Sequence, residues 1–538
     1  MSSYDYVIVG AGSAGSVLAH RLTEDEGATV ALIEAGGPDE AQEVHIPLAF
    51  GYLFKTPLDW DLDTEPEPQL GNRRAYLPRG RVFGGSSSIN AMVYMRGNRV
   101  DYDGWAAGGA AGWGWTDVLP YFLKAEDNER GPSSLHATDG PLTVSDGRSN
   151  HPLALAFVKA AVEAGHPRNE DFNGERQEGV GFYQVTQRDG MRCSAADAYL
   201  RPALERGNLT VLANTVATRV VLNGTRATGV EVALPDGESE VVGASREVIL
   251  SAGAYESPKL LNLSGIGPEP VLTALGLPVA ADLPAGRNLQ DHLMVLMNWR
   301  TQVETLITAL TPENLVLLLT EGQGPLASNV AEAGGFFHSR PGLDAPDIQF
   351  HQGPVLFHQE GLGPLLEHAV TLAPGLVAPT SRGEVVPRVP QPGAQPRIRH
   401  NYLATEEDRA AIYQAVRIAL DIARRPAMRE VTTGPFNTPA SDSGADIAAF
   451  VAQNAMTLYH PTSTCAMGSV VDPQLRVLGF EGLRVVDASV FPTIPRGNTN
   501  APTIMVAEKA ADLIRGRVAP LPKPAESTPS PPPLSGTP

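Results

Sequence analysis

The first 36 residues alternate between apolar runs and a glycine-rich turn, in an order that predicts a strand, a turn, a helix and a second strand. Residues 6–9 are wholly apolar, as expected for a strand buried on both faces of a parallel sheet. The turn 10–15 follows without a gap, and apolar residues then recur at helical spacing as far as Leu22. A second apolar run, 29–33, ends on Glu34. This order is typical of a dinucleotide-binding unit.

The three glycines and the acid of this unit each have a physical role. Gly10 permits the tight turn, Gly12 lets the backbone approach a pyrophosphate, and Gly15 lets the helix pack closely on the strand. The free amides at the start of the helix would face the phosphates. Glu34 stands where a carboxylate accepts hydrogen bonds from a ribose. The pattern alone does not separate FAD from NAD.

The pattern changes along the rest of the chain. Residues 247–253 predict another buried strand that ends in glycine, and residues 257–261 predict the helix that follows it. From about residue 293 to residue 450, short strands interrupted by polar residues mix with helices such as 406–424. The predicted architecture is therefore an α/β Rossmann-like domain joined to an α+β substrate-binding domain with a mixed antiparallel sheet.

Length and charge narrow the class of protein. A chain of 538 residues exceeds what one hydrophobic core usually supports, so two domains are expected. The net charge of −19 argues against nucleic acid as a partner and against an anionic membrane surface. We expect a cytoplasmic protein, because we find no basic, apolar leader and no apolar run long enough to span a membrane.

The two cysteines, Cys193 and Cys465, lie far apart and show no ligand spacing. They predict neither a disulfide framework nor a metal site. The segment 80–90 combines a glycine pair, three serines and an asparagine, which suits a backbone cradle for a phosphate or flavin. A serine nucleophile is not favoured there, since the strand–elbow pattern of serine hydrolases is missing.

Four blocks of sequence together resemble the glucose-methanol-choline (GMC) oxidoreductase family. They are residues 10–15 with Glu34, residues 81–90, residues 253–267, and residues 459–503. They occur in the family's order and span almost the whole chain. The resemblance implies FAD as cofactor and oxidation of an alcohol as activity.

The resemblance also implies a division of the chain. The FAD-binding domain would comprise residues 1–155, 206–292 and 455–516, the substrate-binding domain residues 156–205 and 293–454, and a disordered proline-rich tail residues 517–538. Some family members attach FAD covalently through a histidine in the second block. That position is Ile89 here, so we expect FAD to be bound non-covalently.

The matched positions imply a set of cofactor contacts, with Glu34 on the adenosine ribose and Val216 meeting the adenine through its backbone. The implied FAD-binding residues are Gly10, Gly12, Ser13, Ala14, Gly15, Glu34, Ala35, Gly84, Gly85, Ser88, Asn90, Ala91, Val216, Ala252, Gly253, Asp487, Ala488, Asn500 and Thr503.

The family's chemistry assigns two catalytic residues. Oxidising an alcohol removes a hydroxyl proton and a hydride, and a neutral histidine suits the first task. The resemblance implies His460 as the base and Asn500 as its partner, which would hydrogen-bond the substrate oxygen. Leu458 and Tyr459 would line the substrate pocket. His292 is interpreted as structural.

The substrate and the electron acceptor stay open at this point. Small and apolar residues near His460 favour an uncharged primary alcohol, whereas a choline-type substrate would need an acid such as Glu360 or Glu367, or an aromatic cage. The acceptor would be dioxygen or a quinone-type carrier, and the oligomeric state is undetermined. A hydroxynitrile lyase, a flavin photodecarboxylase and a non-catalytic FAD-binding protein are the alternatives.

Overall fold

The computed structural model describes residues 3–518, and its first sheet is built around the strand that opens the chain. Five strands of this sheet run parallel, because helices and long crossovers connect them. They are Leu209–Leu212, Val30–Ile33, Ser3–Val9, Ser239–Leu250 and Leu483–Val485. Two antiparallel strands extend the sheet beyond Ser239–Leu250, namely Arg226–Ala233 and Val216–Asn223.

Helices cover this sheet and bury its apolar side chains in one core. The helix Ser13–Leu22 begins directly after the glycine turn, as predicted, and packs against the C-terminal helix Asn500–Arg515. The helices Trp115–Ala125 and Gly253–Leu263 contribute to the same core. The predicted α/β unit of strand, glycine turn, helix and strand is confirmed.

The second sheet has eight strands, all paired antiparallel. Its main path runs through Gly434–Asn437, Met297–Arg300, Ala369–Leu376, Ile348–Gly353, Ala333–Phe337 and Gly179–Phe182. Two short strands, Leu293–Val295 and Ala455–Thr457, branch from Ala369–Leu376. Four helices pack on this sheet and close a second core, namely Pro152–Glu163, Glu406–Ala423, Pro426–Val431 and Gly444–Asn454.

The remaining elements are short. The further helices are Gln42–His45, Arg99–Ala107, Arg201–Leu204, Glu269–Ala274 and Pro312–Glu321. The 3-10 turns are Pro47–Leu53, Pro68–Leu70, Gly85–Ser88, Leu306–Thr308, Pro325–Ala327, Gln359–Gly361 and Ala488–Val490, and Ala196–Leu200 is a π-helical turn. The remaining strands are Leu62–Asp63, Tyr76–Leu77, Glu126–Asn128, Leu142–Asp146, Gln184–Val185, Gln187–Arg188, Met191–Arg192, Ile266–Gly267, Ala281–Asp282, Arg287–Leu289, Gly383–Val386 and Arg397–Arg399.

The predicted domain division stays a prediction, and two elements cross it. The strand Ala455–Thr457 pairs within the second sheet, although the sequence assigned it to the FAD-binding domain. The helix Pro152–Glu163 packs entirely in the second core, whereas the predicted boundary fell after residue 155. Residues 519–538 of the predicted tail lie outside the described residues. Within residues 3–518, no helix is both long enough and apolar enough to span a bilayer.

Candidate active site

A long cavity runs from the glycine turn of the first sheet to the second sheet. Gly10 and Glu34 line one end of this cavity, whereas His351 and His460 line the other. The cavity therefore connects the predicted dinucleotide end to the predicted catalytic histidine.

The glycine turn brings three pieces of backbone closer together than side chains would permit. Gly10 has φ +100°, and a Cβ atom there would lie 2.5 Å from the carbonyl oxygen of Ser251. A Cβ atom on Gly15 would lie 1.8 Å from the carbonyl oxygen of Gly10, so the predicted close packing of helix on strand is confirmed. A Cβ atom on Gly85 would lie 2.7 Å from Cα of Gly12, which joins the two glycine-rich turns.

Glu34 is held rigidly at the end of the strand Val30–Ile33. Its two carboxylate oxygens accept hydrogen bonds from the backbone N–H groups of Ala11 and Gly36, each at 2.8 Å. Burial raises the pKa of Glu34, while these two N–H donors act in the opposite direction. A carboxylate oxygen has a second lone pair, so this group can still accept a hydrogen bond from a ligand hydroxyl in the cavity.

The middle of the cavity presents free backbone donors and a second fixed acid. No side chain caps the helix Ser13–Leu22, which leaves its first N–H groups without a side-chain acceptor. Asp487 accepts hydrogen bonds from the N–H of Gly253 at 2.9 Å and from the hydroxyl of Ser257 at 2.5 Å. Uncapped amides between two buried acids are the donors and acceptors that a pyrophosphate flanked by a ribose and a ribityl chain needs, so these residues fit FAD.

Most of the predicted FAD-binding residues line the cavity. They are Gly10, Gly12, Ser13, Ala14, Glu34, Ala35, Gly85, Asn90, Ala91, Val216, Ala252, Gly253, Asp487, Ala488, Asn500 and Thr503. Gly15, Gly84 and Ser88 do not line it. Gly15 faces the strand, and the Ser88 hydroxyl donates to the carbonyl of Phe83 at 2.6 Å, so these residues shape the wall from behind.

His460 is buried, and each ring nitrogen has one neighbour. Its Nδ1 lies 3.0 Å from Nδ1 of His292, and its Nε2 lies 3.3 Å from Nδ2 of Asn498. Its backbone N–H donates to Asp291 at 2.7 Å. The antiparallel pairing of Leu293–Val295 with Ala455–Thr457 continues as far as Gln290 and Thr462, and this register places His292 beside His460.

The predicted pairing of Asn500 with His460 is wrong. The Oδ1 atom of Asn500 accepts a hydrogen bond from the hydroxyl of Ser13 at 2.7 Å, at the start of the C-terminal helix. Asn498 precedes that helix, and its side chain reaches His460 instead. Because residues 498 and 500 are both asparagines, the sequence offered two candidates of the same chemistry, two positions apart.

The residues that support this pair were not predicted from the sequence. Gln349 donates to Oδ1 of Asn498 at 3.0 Å, and His351 lines the cavity on the same strand, Ile348–Gly353. His292 contacts His460 directly, although it was interpreted only as structural. The positions 349 and 351 share one face of a strand, and this alternation of polar residues is the signal that could have indicated them.

The surroundings of His460 keep its imidazole neutral. Burial lowers the pKa of His460 well below 6.5, and His292, His351 and Arg79 lower it further. Burial lowers the pKa of His292 to about 3 and that of His351 to about 4. A neutral imidazole has one nitrogen lone pair, which is what a general base requires.

The walls near His460 are apolar and aromatic. Phe54 packs edge-on against Phe50 and against Tyr459, with ring centroids 6.0 Å apart in each pair. Leu458 and Phe357 belong to the adjoining apolar cluster. Tyr459 adopts φ +67°, a left-handed conformation that is costly for a tyrosine, and strain of this kind is common next to catalytic groups.

Neither of the two acids considered for a cationic substrate lines the cavity. Glu360 lies 3.6 Å from Arg73 and accepts from the backbone N–H of Tyr76, while Glu367 pairs with Arg300 at 2.8 Å. Each carboxylate is directed at an arginine of its own. In the part of the chain that the structure describes, the acids that line the cavity are Glu34, Glu256 and Asp487.

Comparison with known proteins agrees with this fold. Two profiles described as GMC oxidoreductase match residues 4–294 and residues 379–507. The chain is 46% identical to mitochondrial choline dehydrogenase of Homo sapiens, over 96% of this chain and 90% of that protein.

Solved structures show the same architecture. Pyridoxine 4-oxidase from Mesorbium loti superposes with a TM-score of 0.87 at 34% identity, over 96% of this chain and 100% of that one. A formate oxidase variant from Aspergillus oryzae, studied for its FAD modification, superposes with a TM-score of 0.90 at 27% identity, over 96% and 98%. The chain belongs to the GMC oxidoreductase family, and it is an FAD-dependent oxidoreductase that acts on CH–OH groups.

Proposed function

We propose that this enzyme oxidises a primary alcohol to the aldehyde, with His460 as the base and Asn498 as the group that binds the substrate oxygen. The observation that carries the proposal is the 3.3 Å contact between Nε2 of His460 and Nδ2 of Asn498, since both residues line the cavity. When bound, FAD supplies the oxidising chemistry by accepting a hydride from the alcohol carbon.

The two side chains divide the work on the alcohol. The neutral imidazole of His460 takes the hydroxyl proton at Nε2. The Nδ2 amide of Asn498 donates a hydrogen bond to the same oxygen, which stabilises the negative charge that develops on it. An asparagine cannot accept the proton, so one base acts in this site. Asp291 fixes the backbone of His460 by accepting its N–H at 2.7 Å.

The part of the cavity beside His460 favours, as substrate, an uncharged alcohol with an apolar or aromatic body. Glu34, Glu256 and Asp487 all belong to the first sheet and its helices, whereas aromatic rings such as Phe54 and Tyr459 surround the histidine. The human relative is a choline dehydrogenase, and aromatic rings can also bind a quaternary ammonium group. Turnover of benzyl alcohol, octanol and choline distinguishes an uncharged substrate from a quaternary ammonium substrate. We expect the uncharged alcohols to have the higher kcat/KM.

We propose that FAD is held without a covalent bond. Ile89 lines the cavity and offers no nucleophilic atom, in the position where some family members carry the linking histidine. Denaturing the purified holoenzyme with acid should release all yellow colour into the supernatant. Colour that stays with the precipitated protein would contradict the proposal.

A lyase that leaves the flavin oxidised is the second candidate, and the relation to a choline dehydrogenase favours oxidation over it. Anaerobic mixing with alcohols tests the choice, since only an oxidation bleaches the bound flavin. We propose dioxygen or a quinone-type carrier as the electron acceptor. Admitting air to the bleached enzyme separates these two, because an oxidase regains its colour at once.

A further inference from the structure

A series of hydrogen bonds leads to His460, and it begins at a buried backbone carbonyl. The hydroxyl of Tyr183 donates to the carbonyl oxygen of Phe350 at 2.6 Å. Because that hydroxyl proton is engaged, the Tyr183 oxygen accepts from its next neighbour, Nε2 of Gln349, at 3.3 Å. The amide nitrogen of Gln349 therefore faces this side, and it also donates to Oδ1 of Asn498 at 3.0 Å.

The same donor-to-acceptor order extends to Asn498 and His460. With Oδ1 of Asn498 occupied by Gln349, the amide nitrogen of Asn498 faces Nε2 of His460 at 3.3 Å. An amide nitrogen only donates, so Nε2 of His460 must be the unprotonated nitrogen. The proton of His460 is then on Nδ1, which lies 3.0 Å from Nδ1 of His292. Both histidines are neutral at pH 7, because burial lowers their pKa values.

We propose that this series of hydrogen bonds fixes His460 in the tautomer with its proton on Nδ1, so that Nε2 keeps the lone pair required of the base. His292 is a positioning residue at one end, where its Nδ1 accepts a hydrogen bond from the Nδ1–H group of His460. Tyr183 is a positioning residue at the other end, where it sets the direction of the series. The inference rests on the proposed role of His460, and it adds two residues to that role.

The opposite tautomer is unfavourable in this surrounding. A proton on Nε2 would face the Asn498 amide nitrogen, and turning that amide over would set its nitrogen against the nitrogen of Gln349. Turning Gln349 as well would require Tyr183 to leave the Phe350 carbonyl. Each rearrangement breaks a hydrogen bond of this network or sets two donor groups against each other.

Burial of most members of this hydrogen-bond series favours one arrangement of its donors and acceptors. Tyr183 is 2% exposed, and Gln349 and His292 are fully buried. Solvent therefore cannot replace the bond between Tyr183 and Gln349 or the bond between His292 and His460, whereas Asn498 is half-buried and lines the cavity.

Nitrogen NMR of holoenzyme labelled with 15N-histidine reads the tautomer directly. The signals of His460 are those missing from the spectrum of His460→Gln. We expect a protonated Nδ1 and an unprotonated Nε2 in the wild type at pH 7. A protonated Nε2 would overturn the inference, whatever the activity of the enzyme. Conversely, the expected tautomer together with normal turnover of His460→Gln would remove the base role and leave the tautomer assignment standing.

Two variants of His292 test whether it helps to fix the tautomer of His460. His292→Leu removes the acceptor, whereas His292→Asn keeps an oxygen close to the position of Nδ1. We expect the Leu variant to populate both His460 tautomers and to slow anaerobic flavin reduction about tenfold. The Asn variant should restore the wild-type tautomer and most of the rate. Equal spectra and equal rates in the two variants would overturn the role of His292.

Tyr183→Phe tests the other end of the series. Loss of the Tyr183 hydroxyl allows the side-chain amides of Gln349 and Asn498 to rotate by 180°. We therefore expect a second His460 tautomer and flavin reduction slowed by about tenfold. Tyr199→Phe is the matched control, because Tyr199 is just as buried and packs edge-on against His20 in the other core. An unchanged His460 spectrum in Tyr183→Phe would show that Tyr183 does not set the tautomer.

Discussion

Nδ2 of Asn498 lies 3.3 Å from Nε2 of His460, and this contact joins the end of a loop before the C-terminal helix to a residue 38 positions earlier. Gln349 fixes the other atom of the same amide, so the nitrogen and not the oxygen faces the histidine. The pair therefore combines one acceptor and one donor at the same place in the cavity. That combination suits an alcohol oxygen, which gives up a proton and gains negative charge.

Asn498→Ala should lower kcat/KM by about 10²- to 10³-fold, because the developing alkoxide loses its donor. Retained FAD, read from the visible spectrum, verifies that the variant is folded. Asn500→Ala is the matched control, since its side chain bonds Ser13 instead of His460, and it should lose much less activity. A larger loss in Asn500→Ala than in Asn498→Ala would reverse the assignment.

The acid side of the pH profile should reflect a histidine that resists protonation. His460 must be neutral to act as a base, and its pKa lies well below 6.5. The kcat/KM of the free enzyme should therefore stay level as the pH falls to 6.5, and it should decline only at lower pH. A decline centred at or above 6.5 would mean that burial does not control this imidazole.

Glu34→Ala should weaken the retention of FAD, since the buried carboxylate at the glycine turn would no longer accept a hydrogen bond from a ribose. Turnover at saturating FAD should change little, because Glu34 lies at the far end of the cavity from His460. Glu43→Ala, an exposed change on the nearby helix Gln42–His45, serves as control. Equal FAD affinity in the two variants would rule out a ribose contact.

Glu67 should make the protein less stable as the pH rises. Burial raises its pKa to about 7 from the ordinary 4.5. Between these values the folded state keeps a proton that the unfolded state releases, so stability is highest at the acid end and falls as the pH increases. Relative to Glu67→Gln, the wild type should lose up to about 1.4 kcal/mol per pH unit from about pH 5 to 7.

Unfolding temperatures of the wild type and Glu67→Gln at several pH values measure this difference. Glu65→Gln is the control, because Arg388 and other arginines lower the pKa of Glu65 and no proton is gained there in this range. A constant difference between the wild type and Glu67→Gln across the range would show that Glu67 is ionised in the folded protein.

The sequence was sufficient to predict those parts of the site that a few consecutive residues form. The strand, the glycine turn and the helix occupy consecutive residues, and Gly10 and Gly15 allow contacts that any side chain would block. The helix predicted over residues 257–261 lies within the observed helix Gly253–Leu263 for the same reason, since a few consecutive residues define it. Such features are encoded within a few residues, so periodicity and residue type reveal them.

The partners of His460 could not be predicted in this way. Gln349 lies in the strand Ile348–Gly353, Tyr183 directly follows the strand Gly179–Phe182, and His292 directly precedes the strand Leu293–Val295. These three segments meet only when the second sheet forms. The choice between Asn498 and Asn500 depends on where the C-terminal helix begins, because Asn500 is its first residue and Asn498 lies before it. A shift of two residues changes which side chain reaches the cavity end, and helix ends are the least certain feature of a sequence pattern.

The most direct test of the account is anaerobic reduction of the bound flavin by a primary alcohol, followed in a stopped-flow spectrometer for the wild type and His460→Ala. We expect the wild type to lose its visible flavin absorbance and to form the aldehyde. His460→Ala should keep its FAD and react about 10²- to 10⁴-fold more slowly. If the flavin of the wild type stays oxidised with every alcohol, or if His460→Ala reacts as fast as the wild type, the central claim is wrong.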